Sequence, residues 1–159
     1  MKKQFTHIDA SGNPRMVDVS VKKITRRIAR AQAIVLLGKE IMMHMKDDEL
    51  ITKKGPVFQT AIIAGVMAAK KVHELIPFCH PLNVEDCQIV ISVKKKKVII
   101  TATAVITSKT GVEMEALTGA TVAALTVYDM CKALSHDIVI SEIMLLEKRG
   151  GKKDFVRKV

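Results

Sequence analysis

Apolar and polar residues sort by parity most clearly over residues 25–37. Ile28, Arg30, Gln32, Ile34 and Leu36 fall on one parity, and Ala29, Ala31, Ala33, Val35 and Leu37 on the other. Ala and Arg also favour helix, but apolar residues dominate one parity, as in a strand with one buried face. Upstream, a polar and irregular start through about Pro14 gives way to Met16-Val17-Asp18-Val19-Ser20, whose alternation predicts a short strand. A short helix is expected over 39–45. Gly55-Pro56 reads as the start of a second helix, with Pro at its first position, where the missing N–H is harmless. That helix is expected to run from Val57 to about Leu75 and to stop at Ile76-Pro77.

Residues 85–93 and 98–106 read as two strands joined at Lys94-Lys95-Lys96-Lys97, a hairpin whose charged turn discourages edge pairing. Thr110-Gly111-Val112-Glu113 matches a capping box and predicts a third helix to about Leu134. This helix is apolar on nearly all sides, which predicts burial. Its Gly119, Ala120, Ala123 and Ala124 would let a neighbour approach closely. Residues 139–147 read as a final strand. The resulting order, strand, helix, helix, strand, strand, helix, strand, predicts an α+β fold with a largely antiparallel sheet and helices packed on one face. The chain reads as a single domain over 1–159, with 1–14 and 150–159 as flexible ends.

Composition narrows the class. Hydrophobic residues make up 48% of the 159, enough for a core without disulfides or metal. Aromatics are only 3%, so the core must be aliphatic. No apolar run reaches the roughly 18 residues of a membrane span, and Met1-Lys2-Lys3-Gln4 lacks the apolar stretch of a signal peptide. Cys79, Cys87 and Cys131 fit neither a disulfide framework nor a zinc motif. A cytoplasmic protein with no membrane partner is expected. Of the net charge of +10, the Lys94 to Lys97 run supplies +4 and the segment from Lys148 onward +5. Such runs are most often solvated turns and tails, and less often phosphate-binding surface.

Four places carry candidate chemistry. Asp129 and Lys132 share a face of an otherwise apolar helix, either as a structural ion pair or as a tuned acid and base. His80, within Phe78-Cys79-His80-Pro81, is held extended by the following Pro81. Glu113 has a bland role as the capping-box acid, whereas Glu115, beside Met114, favours the helix dipole or faces a ligand. Lys54, just before a helix start, makes an anion site or is a solvated loop lysine. Arg27 and the basic segment from Lys148 to Lys153 are anion contacts or surface charge. Neither HExxH nor CxxC is present, so no metal site is expected. Glu115 and Asp129 lie 14 residues apart on one helix, roughly 21 Å at 1.5 Å per residue. They cannot act on one atom from a single chain, so a shared site requires two protomers or a long ligand.

Taken in order, Thr6-His7-Ile8, Met16-Val17-Asp18-Val19-Ser20, Ile63-Ala64-Gly65, Ala68-Ala69-Lys70 and Cys79-His80-Pro81-Leu82 form an ordered set. The set continues with Lys109-Thr110-Gly111-Val112-Glu113-Met114-Glu115-Ala116-Leu117-Thr118, Tyr128-Asp129-Met130-Cys131-Lys132-Ala133, Gly150-Gly151-Lys152 and Asp154-Phe155. Over nearly the whole chain this resembles the molybdenum cofactor biosynthesis protein C family, the cyclic pyranopterin monophosphate synthases. The resemblance implies a ferredoxin-like fold and a homohexamer built as a trimer of dimers, with its site at the dimer interface. The implied reaction converts a cyclised dihydro-GTP into cyclic pyranopterin monophosphate and pyrophosphate, an early step of molybdenum cofactor synthesis.

The resemblance also implies roles. Asp129 becomes the principal acid/base residue, assisted by Lys132, with Lys54 and His80 as further catalytic groups. Phe78, Cys79, His80, Glu113, Met114 and Glu115 become substrate contacts, and Arg27, Lys148 and Lys152 contact the triphosphate. No cofactor is required by the chain, though magnesium can travel with the triphosphate. The family usually carries Lys-Gly-Asp where this chain has Lys54-Gly55-Pro56, and Arg where it has Ile62. Two other readings compete. A small RNA-binding domain would explain the charge but lacks stacking aromatics and an RNP signature. A catalytically dead assembly subunit has no need of Lys54, His80, Glu115, Asp129 and Lys132 together.

Overall fold

The computed structural model describes residues 11–158. A twelve-residue strand, β1 (Thr25–Leu36), forms the middle of the molecule. From Ala29 on, its odd positions are the most deeply buried: Ala29, Ala31, Ala33 and Val35 are wholly inaccessible. β1 pairs antiparallel with β6 (Lys97–Ser108) on one side and with β7 (Val139–Arg149) on the other. β5 (Asp86–Lys94) pairs with β6 through a two-residue turn, and β8 (Phe155–Val156) adds to β7. The sheet order is β5-β6-β1-β7-β8, antiparallel throughout. β8 lies within the stretch that the sequence assigns to a flexible tail.

Two helices, α2 (Val57–Ala69) and α4 (Glu113–Cys131), pack on one face of this sheet and against each other. With β1, β5, β6 and β7 they form the β-α-β-β-α-β pattern of the ferredoxin-like fold. Small residues set the helix crossing. A Cβ on Gly65 would lie 2.7 Å from the Gly119 carbonyl oxygen, so the two backbones meet where neither has a side chain. Ala116, Ala120, Ala123 and Ala124 are fully buried along the same stripe of α4. The aliphatic core that the composition requires is therefore an alanine-rich one, in which close backbone approach replaces side-chain bulk.

Several local expectations are corrected. Met16 to Ser20 form no strand. Asp18 instead accepts a hydrogen bond from the Ser20 N–H (2.8 Å), and Lys22 N donates to Val19 O, closing a turn. The first helix, α1 (Lys39–Met42), is short because the chain turns at once into β2 (Met45–Lys46), β3 (Glu49–Thr52) and β4 (Gly55–Pro56). This small sheet was not foreseen. Its first turn uses Asp47 and Asp48, both with positive φ (47° and 62°), a hairpin conformation that Asp tolerates. Pro56 is not inside α2 but caps it in extended conformation (φ −72°, ψ 121°). α2 ends at Ala69, and a kink at Lys70-Lys71 turns the buried Val72 inward to begin α3 (Val72–Leu75). Thr110 caps nothing: α4 is preceded by Val112 without a side-chain cap, and it stops at Cys131, not Leu134.

Candidate functional site

α4 carries chemistry at both ends. At its C-terminal end, Asp129 Oδ2 lies 2.7 Å from Lys54 Nζ and Oδ1 lies 2.7 Å from Lys132 Nζ. Lys54 Nζ also donates to the Asp129 carbonyl (2.9 Å), so one lysine holds both the side chain and the backbone of the last turn. Hydrogen bonds from Lys132 and Lys54 lower the Asp129 carboxyl to a pKa of about 2, and the same carboxylate raises Lys132. Asp129 is therefore ionised throughout the physiological range in this state. The burial expected from the apolar helix is absent. The side chains of Asp129, Lys54 and Lys132 are 55%, 48% and 49% exposed, because α4 turns its polar face outward here. Beside them is an apolar cavity of about 290 Å³, bordered by Ile51, Lys54, Met130 and Leu134.

The N-terminal end of α4 borders a second cavity, of about 520 Å³. Phe78, Cys79 and His80 form one wall, Glu113, Met114 and Glu115 another, and Lys148 of β7 a third. His80 Nε2 lies 2.9 Å from Val17 O, just before the turn at residues 18–22, and Val17, Val19 and Lys22 border the same cavity. Glu113 is not a capping acid. Its carboxylate pairs with Lys148 Nζ at 2.9 Å, which explains why the capping box is unformed. Among the described residues, Glu115 is the one charged residue that is buried, 3% exposed. Burial, with Glu113 close by, pushes its carboxyl up to about 7. Burial and Glu115 likewise push the Cys79 thiol up.

The raised carboxyl has a consequence for stability. Glu115 holds its proton in the fold at pH values where the unfolded chain has lost it. Its contribution is thus fully present below the unfolded value of 4.5 and is lost as pH rises through about 7. Denaturant titrations should show stability falling over that window. Glu115→Gln should flatten the fall by about 2 kcal/mol, a figure reduced from the full shift because Glu115 borders an open cavity. An equally steep profile in the variant would mean that another group sets it.

A third cavity, of about 660 Å³, adjoins the second and shares Lys22, Gly111, Glu113 and Lys148 with it. Arg27, Arg149, Lys152 and Lys153 complete its cationic lining. Arg27 Nη2 donates to Lys109 O at 3.2 Å, while its Nε is buried with no protein partner. The expected anion contacts Arg27, Lys148 and Lys152 are thus brought together. Lys22 was not foreseen, because it lies two residues past the strand expected over Met16 to Ser20 and reaches the cavity wall through the turn that its N–H closes with Val19 O. Ile62, half-buried against the core, supplies no cation. Among the described residues, no three His, Cys, Asp or Glu side chains converge as metal ligands. Lys54, Asp129 and Lys132 line neither of the two large cavities, so the chain alone keeps its two charged groups at opposite ends of α4.

Fold and site define a small ferredoxin-like α+β protein with a cation-lined double cavity and, a helix length away, a carboxylate held between two lysines. The model of the MoaC family matches residues 16–151. A cyclic pyranopterin monophosphate synthase of Xanthomonas campestris pv. campestris (strain 8004) is 51% identical over 152 residues, covering 95% of this chain and 92% of that protein. A molybdenum cofactor biosynthesis bifunctional protein of Synechocystis is 52% identical over 155 residues, covering 94% of this chain and 45% of that protein. Molybdenum cofactor biosynthesis protein 1 of Dictyostelium discoideum is 46% identical over 94% of this chain and 26% of its own length. The chain belongs to the MoaC family. No helix among the described residues is long and apolar enough to cross a membrane.

Proposed function

We propose that this protein is a cyclic pyranopterin monophosphate synthase, a lyase of molybdenum cofactor biosynthesis. It takes a cyclised dihydro-GTP as substrate and releases pyrophosphate. The observation that carries the reading is the match to similarly named relatives along nearly the full length of both chains, joined to a cavity pair with two chemistries. The cationic part, with Arg27, Lys22, Lys148 and Lys152, suits a triphosphate and the charge that develops as pyrophosphate leaves. The part bordered by His80, Cys79 and Glu115 suits a polar ring undergoing proton transfers, and a carboxyl near pH 7 is well matched to that work.

Asp129, Lys132 and Lys54 enter the same site from a second protomer. The length of α4 supports this, since 14 residues separate Glu115 from Asp129, roughly 21 Å. Exposed apolar side chains on the outer helix faces, Ile63 and Met67 on α2 and Leu125 on α4, supply surface for assembly into a homohexamer, a trimer of dimers. Asp129, ionised at rest, orients the two lysines. It takes up a proton once a lysine is drawn to substrate and its hold on the carboxylate weakens. The chain itself needs no cofactor, and any magnesium arrives with the triphosphate as part of the substrate. The setting is cytoplasmic. Nucleic acid is not the partner: the cations line cavities alongside carboxylates, and four Phe and one Tyr offer few stacking surfaces. Incubating the purified protein with the cyclised dihydro-GTP should yield pyrophosphate and the pterin product in equal amounts. Absence of both with folded protein would reject the assignment.

A further inference from the structure

Lys54 sits in the turn of a hairpin whose base is fastened to a helix end from outside the helix. The first N–H groups of any helix need partners beyond it. α2 is preceded by Pro56, which has no side-chain acceptor to offer. Glu49, the first residue of β3, supplies them. Its Oε1 accepts from Phe58 N (2.7 Å) and from Leu50 N (2.8 Å), and its Oε2 accepts from Gln59 N (3.1 Å). One carboxylate thus joins the start of α2 to the start of β3, with its negative charge at the positive end of the helix. Leu50, next in sequence, is wholly buried and fixes the strand at that depth.

From this anchor the path to Lys54 is short and constrained. β3 pairs with β4 through Ile51 with Pro56 and Thr52 with Gly55, leaving Lys53 and Lys54 as the turn. Gly55 takes φ +107°, a conformation that side chains disfavour. Lys54 N donates to Thr52 Oγ1 at 3.2 Å, and Lys54 Nζ then reaches Asp129. One other side chain joins this hairpin to the α2 start: Thr60 Oγ1 donates to Pro56 O (2.6 Å), a bond local to β4 that does not reach β3, where only Glu49 makes the link in the hydrogen-bond pattern of residues 49–60. We infer that Glu49 is a positioning residue: by capping α2 from β3 it sets the hairpin at the depth where Lys54 meets Asp129. Its bearing on turnover rests on the function proposed above, whereas its bearing on Lys54 placement does not.

The test compares wild type with Glu49→Ala in the assembled protein by NMR of the lysine ammonium groups. Lys132 serves as an internal control, because it follows α4 directly and meets the same carboxylate without help from the hairpin. Proton exchange at Lys54 should quicken about tenfold as its charge-assisted bonds are lost, with Lys132 changed less than about twofold. Turnover should fall about tenfold or more, with KM changed less than about threefold, as expected for a misplaced group. A lower thermal midpoint with both lysines unchanged would overturn the inference and leave Glu49 a helix cap only. Faster Lys54 exchange with normal turnover would overturn the catalytic use of Lys54, a failure of the functional reading and not of the placement. Should Glu49→Ala not fold, Glu49→Asp keeps the charge but shortens its reach. Lys54 exchange should then quicken by about threefold, and an unchanged rate would overturn the inference.

Discussion

Asp129→Asn is expected to cut turnover of the cyclised dihydro-GTP by about 100-fold or more, the scale of a lost acid/base group. Two properties of the site make this a clean test. The Asp129 side chain is exposed and is not among the buried core residues, so the variant should fold and assemble as wild type does. The carboxylate also has two ammonium partners, at 2.7 Å each, and a neutral amide cannot hold both with charge-assisted bonds. The substitution therefore removes the proposed proton acceptor and loosens Lys54 and Lys132 together. The loss should fall on kcat more than on KM, because the proposed triphosphate contacts lie in the cationic cavity at the other end of α4. Turnover within a few-fold of wild type would remove Asp129 from the mechanism.

Much of the fold was legible because the long elements obey a single period. β1 announced itself by parity, and its apolar odd positions are the most deeply buried. The hairpin of β5 and β6 was marked by its lysine turn, and the glycine and alanine stripe of α4 forecast a close neighbour, which the structure shows to be α2. What the sequence concealed was short or depended on distant partners. β2, β3 and β4 have two to four residues each, too few for a period to register. The Thr110 to Glu113 match failed because a local motif competes with tertiary charge, and Lys148 from another strand claims Glu113. Likewise the N-terminus of α2 is closed by Glu49 from nine residues before Phe58, a pairing that no motif within the helix reveals.

The site was half legible. Motif matching picked Phe78, Cys79, His80, Glu113, Met114, Glu115 and Lys148, which now border one cavity, and Asp129, Lys132 and Lys54, which now make one ion cluster. The approach of Lys54 to Asp129 spans 75 residues and could not be read from spacing. Burial was misjudged in opposite directions. Asp129 was placed in an apolar helix yet is exposed, whereas Glu115, read as a helix-end acid or a ligand contact, is the carboxyl that burial brings near neutrality. That reversal follows from where each end of α4 lies against the sheet, which composition does not encode.

The central claim is that each site takes Glu115 and its neighbours from one protomer and Asp129 with its lysines from another. Subunit complementation tests it most directly. Asp129→Asn and Glu115→Gln proteins, each nearly inactive alone, would be unfolded together, reassembled at equal ratio and verified as mixed. In a mixed pair one site collects both defects and the other collects neither. Half of randomly formed pairs are mixed, so activity should return to about one quarter of wild type, more than an order of magnitude above either parent. If both residues serve a site within one chain, every site in the mixture keeps a defect. Activity remaining at the parental level in verified mixed assemblies would contradict the shared site.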